Sequence, residues 1–211
     1  INMDNTQWSS AAWDKNYLKE QPTDGRLGPA YYHKLFELML RLRANTISAG
    51  WDKKRSDFLD VKGNRELADS FSIVVSAPYQ DNAVTLYEHK KPIRVNLLWA
   101  DDGYGYMLAR SNDDVKQASH GAALYHLSYK GQPHDYLWLY TTQPGLVCSE
   151  MQTAYAHGAN RLWLVTIHDP KVAAYQLNLF MDMAWNINTV TPTTVQQHLQ
   201  DWLSMQFGKQ V

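Results

Sequence analysis

Apolar runs of strand length alternate along this chain with segments of helical period, and that alternation confines the fold to the α/β class. From Tyr32 through Leu35, Phe36, Met39 and Leu42 the apolar residues recur at helical spacing. His33, Lys34, Glu37 and Arg41 take the other face, and Pro29 sits where a first helical turn tolerates it. Thr46 to Ala49 reads as a short strand, Asn64 to Phe71 as a helix capped by its Asn, and Ser72 to Ser76 as a buried β-branched strand. Further strands are predicted at Arg94 to Ala100, Ala122 to Leu127, Tyr136 to Thr141 and Leu162 to Ile167. Helices are predicted from Leu146 to His157, closed by Gly158, from Val172 to Trp185, and from Thr191-Pro192 onward. With Ile1-Asn2 as the tail of another strand there are seven, all with the composition of strands buried on both faces, which suits a parallel sheet or barrel.

Charge and cysteine usage remove several classes of function. A formal net charge of -1, from 20 Lys+Arg against 21 Asp+Glu without a long basic run, offers no footprint for a polyanion. Nucleic acid and anionic membrane surfaces are therefore not expected partners. Apolar runs such as Val95 to Ala100 fall far short of the ~18 residues of a membrane span. The single Cys148 excludes an internal disulfide framework and a multi-cysteine metal site. The chain starts at Ile1 without an initiator Met or a signal-like stretch, as expected of an excerpt from a longer protein.

The stretch Val95 to Tyr106 runs a hydrophobic strand directly into Asp101, Asp102, Gly103 and Gly105. In parallel α/β folds ligand groups project from the carboxyl ends of strands, so the two acids are candidates for chemistry; an ordinary capped turn is the alternative. No third glycine or Lys-Ser/Thr follows, which excludes a phosphate loop. A second cluster, Tyr125 to Tyr136, crowds His126, Ser128, Tyr129, Lys130, His134 and Asp135 around a strand end and its loop. His126, on an apolar strand, reads as a hydrogen-bonded core residue. His168-Asp169 is too sparse for a metal site, no Gly-x-Ser-x-Gly elbow is present, and Cys148 falls within a predicted helix. Carboxylate chemistry is favoured. Among the 13 Tyr and 8 Trp, Trp51, Trp99 and Tyr129 lie at predicted strand ends, where a flat ring with a polar tip would suit a sugar as well as a core.

Longer collinear blocks resemble glycoside hydrolase family 115, the xylan α-1,2-glucuronidases. They are Gly28 to Ile47, Gly63 to Asp69, Leu97 to Tyr106, Tyr125 to Trp138 and Leu179 to Trp185. The resemblance implies a (β/α)8-barrel catalytic domain that removes 4-O-methylglucuronic acid from glucuronoxylan with inversion, extracellular or periplasmic, without cofactor or metal. Implied partners are glucuronoxylan and aldouronic acids, and a homodimer is admissible. Residues 1–186 would form the barrel-like domain. Residues 187–211 would form an amphipathic helix packing on it or opening a following helical domain.

Inversion requires an acid and a base carboxyl flanking the sugar, ~6.5–9.5 Å apart. Several family positions are altered here. The acidic first-strand motif Ile-Asn-Asp-Glu-Asp reads Ile1-Asn2-Met3-Asp4-Asn5, and Ser-His-x-Glu-Pro reads Ala77-Pro78-Tyr79-Gln80-Asp81. Asp-Asp-Asn reads Asp101-Asp102-Gly103, and the Asn of a later strand is Thr166. Between Val75 and Arg94 a further βα unit of the family, which supplies its expected catalytic acid, is missing. Leu86-Tyr87-Glu88 keeps a remnant. The implied catalytic residues are Glu88, Asp101 and Asp4; the implied substrate-binding residues are Asn2, Trp51, Asp102, Tyr129, His134 and Thr166. About seven parallel strands are expected, in a barrel that closes short, recruits Val84 to Tyr87, or stays open. The alternative function is an acidic-sugar-binding module without turnover.

Overall fold

Pro29 opens the first helix because its fixed φ suits a helical start and its missing N–H would be unpartnered there anyway. This helix, α1 (Pro29–Arg41), buries Tyr31, Tyr32, Leu35, Phe36 and Met39 and leaves Lys34 and Glu37 outside in an ion pair. The computed structural model describes residues 2–3, 18, 27–49, 58, 61–76, 84–88, 91–95, 97–107, 121–129, 135–137 and 140–208. The chain divides into two units, Ile1–Asn96 and Leu97–Val211. No described helix is long and apolar enough to cross a membrane.

In the first unit β1 (Asn2–Met3), β2 (Thr46–Ala49) and β3 (Val74–Ser76) pair in parallel, Asn2 opposite Ser48 and Ile47 opposite Val75. Tyr32, Phe36 and Phe58 form an aromatic core, with the Tyr32 and Phe58 rings edge to face at 4.6 Å. Between β2 and β3 lies α2 (Asn64–Ser70), whose N-cap is Gly63 rather than the expected Asn64. Asn64 is inside the helix and fully buried, its amide donating to the carbonyls of Leu27 and Phe58, both at 3.1 Å. It ties two distant segments together instead of closing a helix end.

The expected run of parallel strands breaks after β3. Next, β4 (Val84–Glu88) runs antiparallel to β3, and β5 (Lys91–Val95) runs antiparallel to β4, with Glu88 facing Lys91. The reason is chain length. Only seven residues separate Ser76 from Val84, and a parallel crossover needs roughly a dozen or more. The predicted strand Arg94 to Ala100 is likewise two strands in two ladders, β5 and β6 (Leu97–Ala100).

In the second unit β6, β7 (Gly121–His126) and β8 (Leu162–Ile167) are parallel, with Ala100 opposite Leu124, Tyr125 opposite Val165 and His126 opposite Thr166. Their carboxyl ends therefore share one rim. The helices are α3 (Pro144–Ala156), α4 (Ala174–Trp185) and α5 (Val195–Phe207). Val147, Cys148 and Met151 from α3 and Leu179 and Phe180 from α4 are buried with Tyr125, Leu164 and Ile167 of the strands. Each such side chain contributes roughly 1.5–3 kcal/mol of burial.

Helix α5 starts later than its Thr191-Pro192 signal because Thr191 N–H bonds the Thr194 hydroxyl in a preceding turn. It has no fully buried residue. His198 Nε2 meets Asp182 of α4 at 3.0 Å, and Trp202 packs edge-on against Tyr175. The predicted strand Tyr136 to Thr141 is not present among the described residues: Tyr136 makes an isolated antiparallel bridge to Tyr129. The described pairings thus give an α/β fold, with three parallel strands and an antiparallel hairpin in the first unit and three parallel strands in the second, in place of the seven parallel strands expected.

Candidate functional site

β6 delivers Asp101 and Asp102 to the carboxyl rim of the second unit, and their side chains do different things. Asp102 builds the turn. Its Oδ1 accepts the N–H groups of Tyr104 (2.9 Å) and Tyr106 (3.1 Å), while its own N–H donates to the Tyr106 carbonyl. For this residue the capped-turn alternative holds, and one carboxylate oxygen is already engaged by backbone. Gly103 and Gly105 take φ of 81° and 92°, the left-handed region that glycine enters without penalty.

Asp101 turns into the protein. Its side chain has 0% exposure, and Oδ1 accepts both the backbone N–H of His126 (3.1 Å) and the ring Nδ1 of the same residue (2.5 Å). The other oxygen, Oδ2, is buried with no hydrogen-bond partner among the described residues. A carboxylate oxygen accepts, so the tautomer in which Nδ1 donates to Oδ1 leaves Nε2 as the other ring nitrogen. His126 keeps 14% side-chain exposure. Asp101, expected as a catalytic carboxylate, has its side chain enclosed and bonded to His126.

Aromatic rings frame the pair. Tyr129 stands edge-on to His126 at 4.8 Å and stacks on Tyr136 at 6.1 Å, and the Tyr136 hydroxyl donates to the His126 carbonyl. Beneath them, burial pushes the Tyr125, Tyr136 and Tyr140 hydroxyls well above the usual phenol range; the Asp101 charge adds to each. They stay protonated; the Tyr125 and Tyr136 hydroxyls donate hydrogen bonds, while that of Tyr140 is buried with no partner among the described residues. The Tyr125 hydroxyl donates to the Gly105 carbonyl, and the buried Glu150 accepts the Met107 N–H at 3.0 Å, so the loop 101–107 is pinned at both glycine and exit. Thr166 sits beside His126 at the end of β8, its carbonyl accepting from Leu127 and Ser128. The Ser128 hydroxyl in turn accepts the N–H of His168.

The rim thus unites Asp101, Asp102, Tyr129 and Thr166 of the expected set. Glu88 ends β4 and Asn2 lies in β1, both in the first unit. Asp4, Trp51 and His134 lie outside the described residues. Trp99 is a core ring, 6% exposed. His126, read as a hydrogen-bonded strand residue, does form such a bond; its partner, which spacing along the chain does not indicate, is Asp101, set beside it by the strand pairing. Among the described residues no group of three or more His, Cys, Asp or Glu side chains could hold a metal ion.

The model of glycosyl hydrolase family 115 matches residues 1–86 and 77–211. Residues 77–86 are shared by both segments, so the match breaks there. Eleven chains of solved structures match this one. One is a family 115 4-O-methyl-α-glucuronidase with specificity for decorated arabinogalactans; it is 24% identical, with a TM-score of 0.85 over 99% of this chain and 41% of its own. That likeness is one of fold, and this chain spans about two fifths of the solved chain's length. No curated protein sequence matches.

Proposed function

The chain belongs to glycosyl hydrolase family 115, and from that membership we propose that it serves removal of (4-O-methyl)glucuronic acid side groups from glucuronoxylan by an inverting, two-carboxylate mechanism. The observation that supports this reading is the Asp101–His126 pair at the carboxyl ends of parallel strands. A buried carboxylate holding Nδ1 leaves Nε2 to receive a proton from a sugar hydroxyl or, once protonated, to face the uronate as a cation. Asp101 is then a positioning residue. Glu88 and Asp4 are proposed for the proton transfers of the two-carboxylate mechanism on their motifs alone, and Asn2, Trp51 and His134 for substrate binding on the same ground. Tyr129 and Thr166 are proposed to line the sugar, with the free side of the Asp102 carboxylate. An extracellular or periplasmic place of action is part of the same proposal.

Release of 4-O-methylglucuronic acid from glucuronoxylan, and from uronate-decorated arabinogalactan as a second substrate, tests the reading. Asp101→Asn and His126→Ala should each lower kcat/KM by on the order of 10²–10⁴, and the double variant should be little worse, because the two residues act as a unit. Equal rates in all proteins would exclude the pair from the reaction.

The second reading is an acidic-sugar-binding module. The complete enclosure of Asp101, together with the altered motifs at Ala77 to Asp81 and Thr166, favours it. Calorimetry with aldouronic acids separates the two: heat of binding without released product identifies the module.

A further inference from the structure

Two large aromatic side chains stand half out of the protein on a tightly held loop. Tyr104 is 53% exposed and Tyr106 50%, yet the backbone between Asp101 and Met107 is over-determined. Asp102 Oδ1 accepts both tyrosine N–H groups, Tyr125 holds the Gly105 carbonyl, Glu150 holds the Met107 N–H, and a Cβ on Gly105 would meet Thr142 and the Tyr125 hydroxyl at 2.7 Å. Folding alone does not call for a loop so fixed to present two rings to water. A rigid aromatic loses little further freedom on binding, which is the property of a recognition surface.

We propose that Tyr104 and Tyr106 form a platform for the neutral main chain of the polysaccharide whose acidic branch reaches Asp101–His126; this deepens the functional reading above and rests on it. Three observations choose this occupant. First, Gly103 to Met107 carries no charged residue, so the surface suits uncharged sugar units, whereas the carboxylate–imidazole pair suits an acid. Second, a phenol ring offers a flat apolar face and a polar tip, matching the C–H face and hydroxyl rim of a pyranose. Third, the loop is continuous with the candidate site: it begins at Asp101, and Gly103 lies so close to the Tyr129 ring that a Cβ there would meet it at 3.1 Å.

Calorimetry with two ligands tests the platform: free 4-O-methylglucuronic acid, and an aldouronic acid in which the same uronate branches from a short xylose chain. The wild-type chain should bind the aldouronic acid more tightly. Replacing both rings (Tyr104→Ala with Tyr106→Ala) should raise the Kd for the aldouronic acid roughly tenfold while leaving that of the free acid unchanged. The double Phe variant, which keeps the faces and the fold but not the polar tips, should lose much less aldouronic acid affinity than the double Ala variant and bind the free acid like wild type. Unchanged aldouronic acid affinity in the Ala variant overturns the proposal, as does equal loss of both ligands. A wild type that gains nothing from the xylose chain overturns the platform and leaves the functional reading standing. One that binds neither ligand removes both.

Discussion

Asp101 and Asp102 are adjacent in sequence and differ completely in circumstance: one carboxylate is sealed against His126, the other closes a turn over two tyrosine N–H groups. The strand-to-acid junction was legible in the sequence, because an apolar run ending in carboxylates marks the carboxyl end of a strand. Which acid faces inward was not, since that depends on His126, 25 positions away and brought alongside only by the β6–β7 register. Cys148 was read correctly as an inert helix residue. Burial pushes its thiol from an ordinary 9.0 up to about 11. The folded state disfavours the thiolate, so the unfolded chain loses this proton first as pH rises. Stability is fully present below about pH 9 and falls between 9 and 11. The urea midpoint should therefore drop over that window, and the drop should shrink in Cys148→Ala. Alkylation of the native protein at pH 8 should be slow compared with the unfolded chain.

The loop from Asp101 to Met107 explains why the Gly-Tyr-Gly-Tyr pattern looked like half a phosphate loop. Its glycines serve left-handed backbone and close packing, not an anion. A Cβ on Gly105 meets Thr142 and Tyr125 at 2.7 Å and must also adopt φ of 92°, so Gly105→Ala should cost about 2–4 kcal/mol. Gly145, in the first turn of α3, has nothing within 4 Å of such an atom, and Gly145→Ala should be neutral or add up to about 1 kcal/mol. Chemical denaturation of the two variants checks both values. Helices were the most readable elements: α1 follows its apolar spacing and its Pro start, and α3 begins at Pro144, two residues before the expected Leu146. Asn64 was misplaced as a cap because composition at a helix start cannot distinguish a residue that bonds its own helix from one that reaches Leu27 and Phe58. The Arg94 to Ala100 run was read as one strand because an apolar pattern does not reveal a change of ladder.

At the scale of the whole chain, parallel ladders were foreseeable from strands without hydrophobic alternation, and the hairpin of β4 and β5 was not. The shortened link after β3 was visible, but it was read only as a barrel that closes short, recruits Val84 to Tyr87, or stays open. Seven residues leave room only for a reversal of direction. The family match spans the length of the chain, and it breaks at that same place. The rim of the second unit keeps its own pairings there: strand ends, a fixed loop, and a carboxylate holding an imidazole. Whether that rim receives an acidic sugar is decided most directly by NMR of the His126 ring during titration with 4-O-methylglucuronic acid. A saturable shift of the His126 ring signals, lost in Asp101→Asn, is the expected result. His126 signals that stay fixed up to high ligand concentration would contradict it.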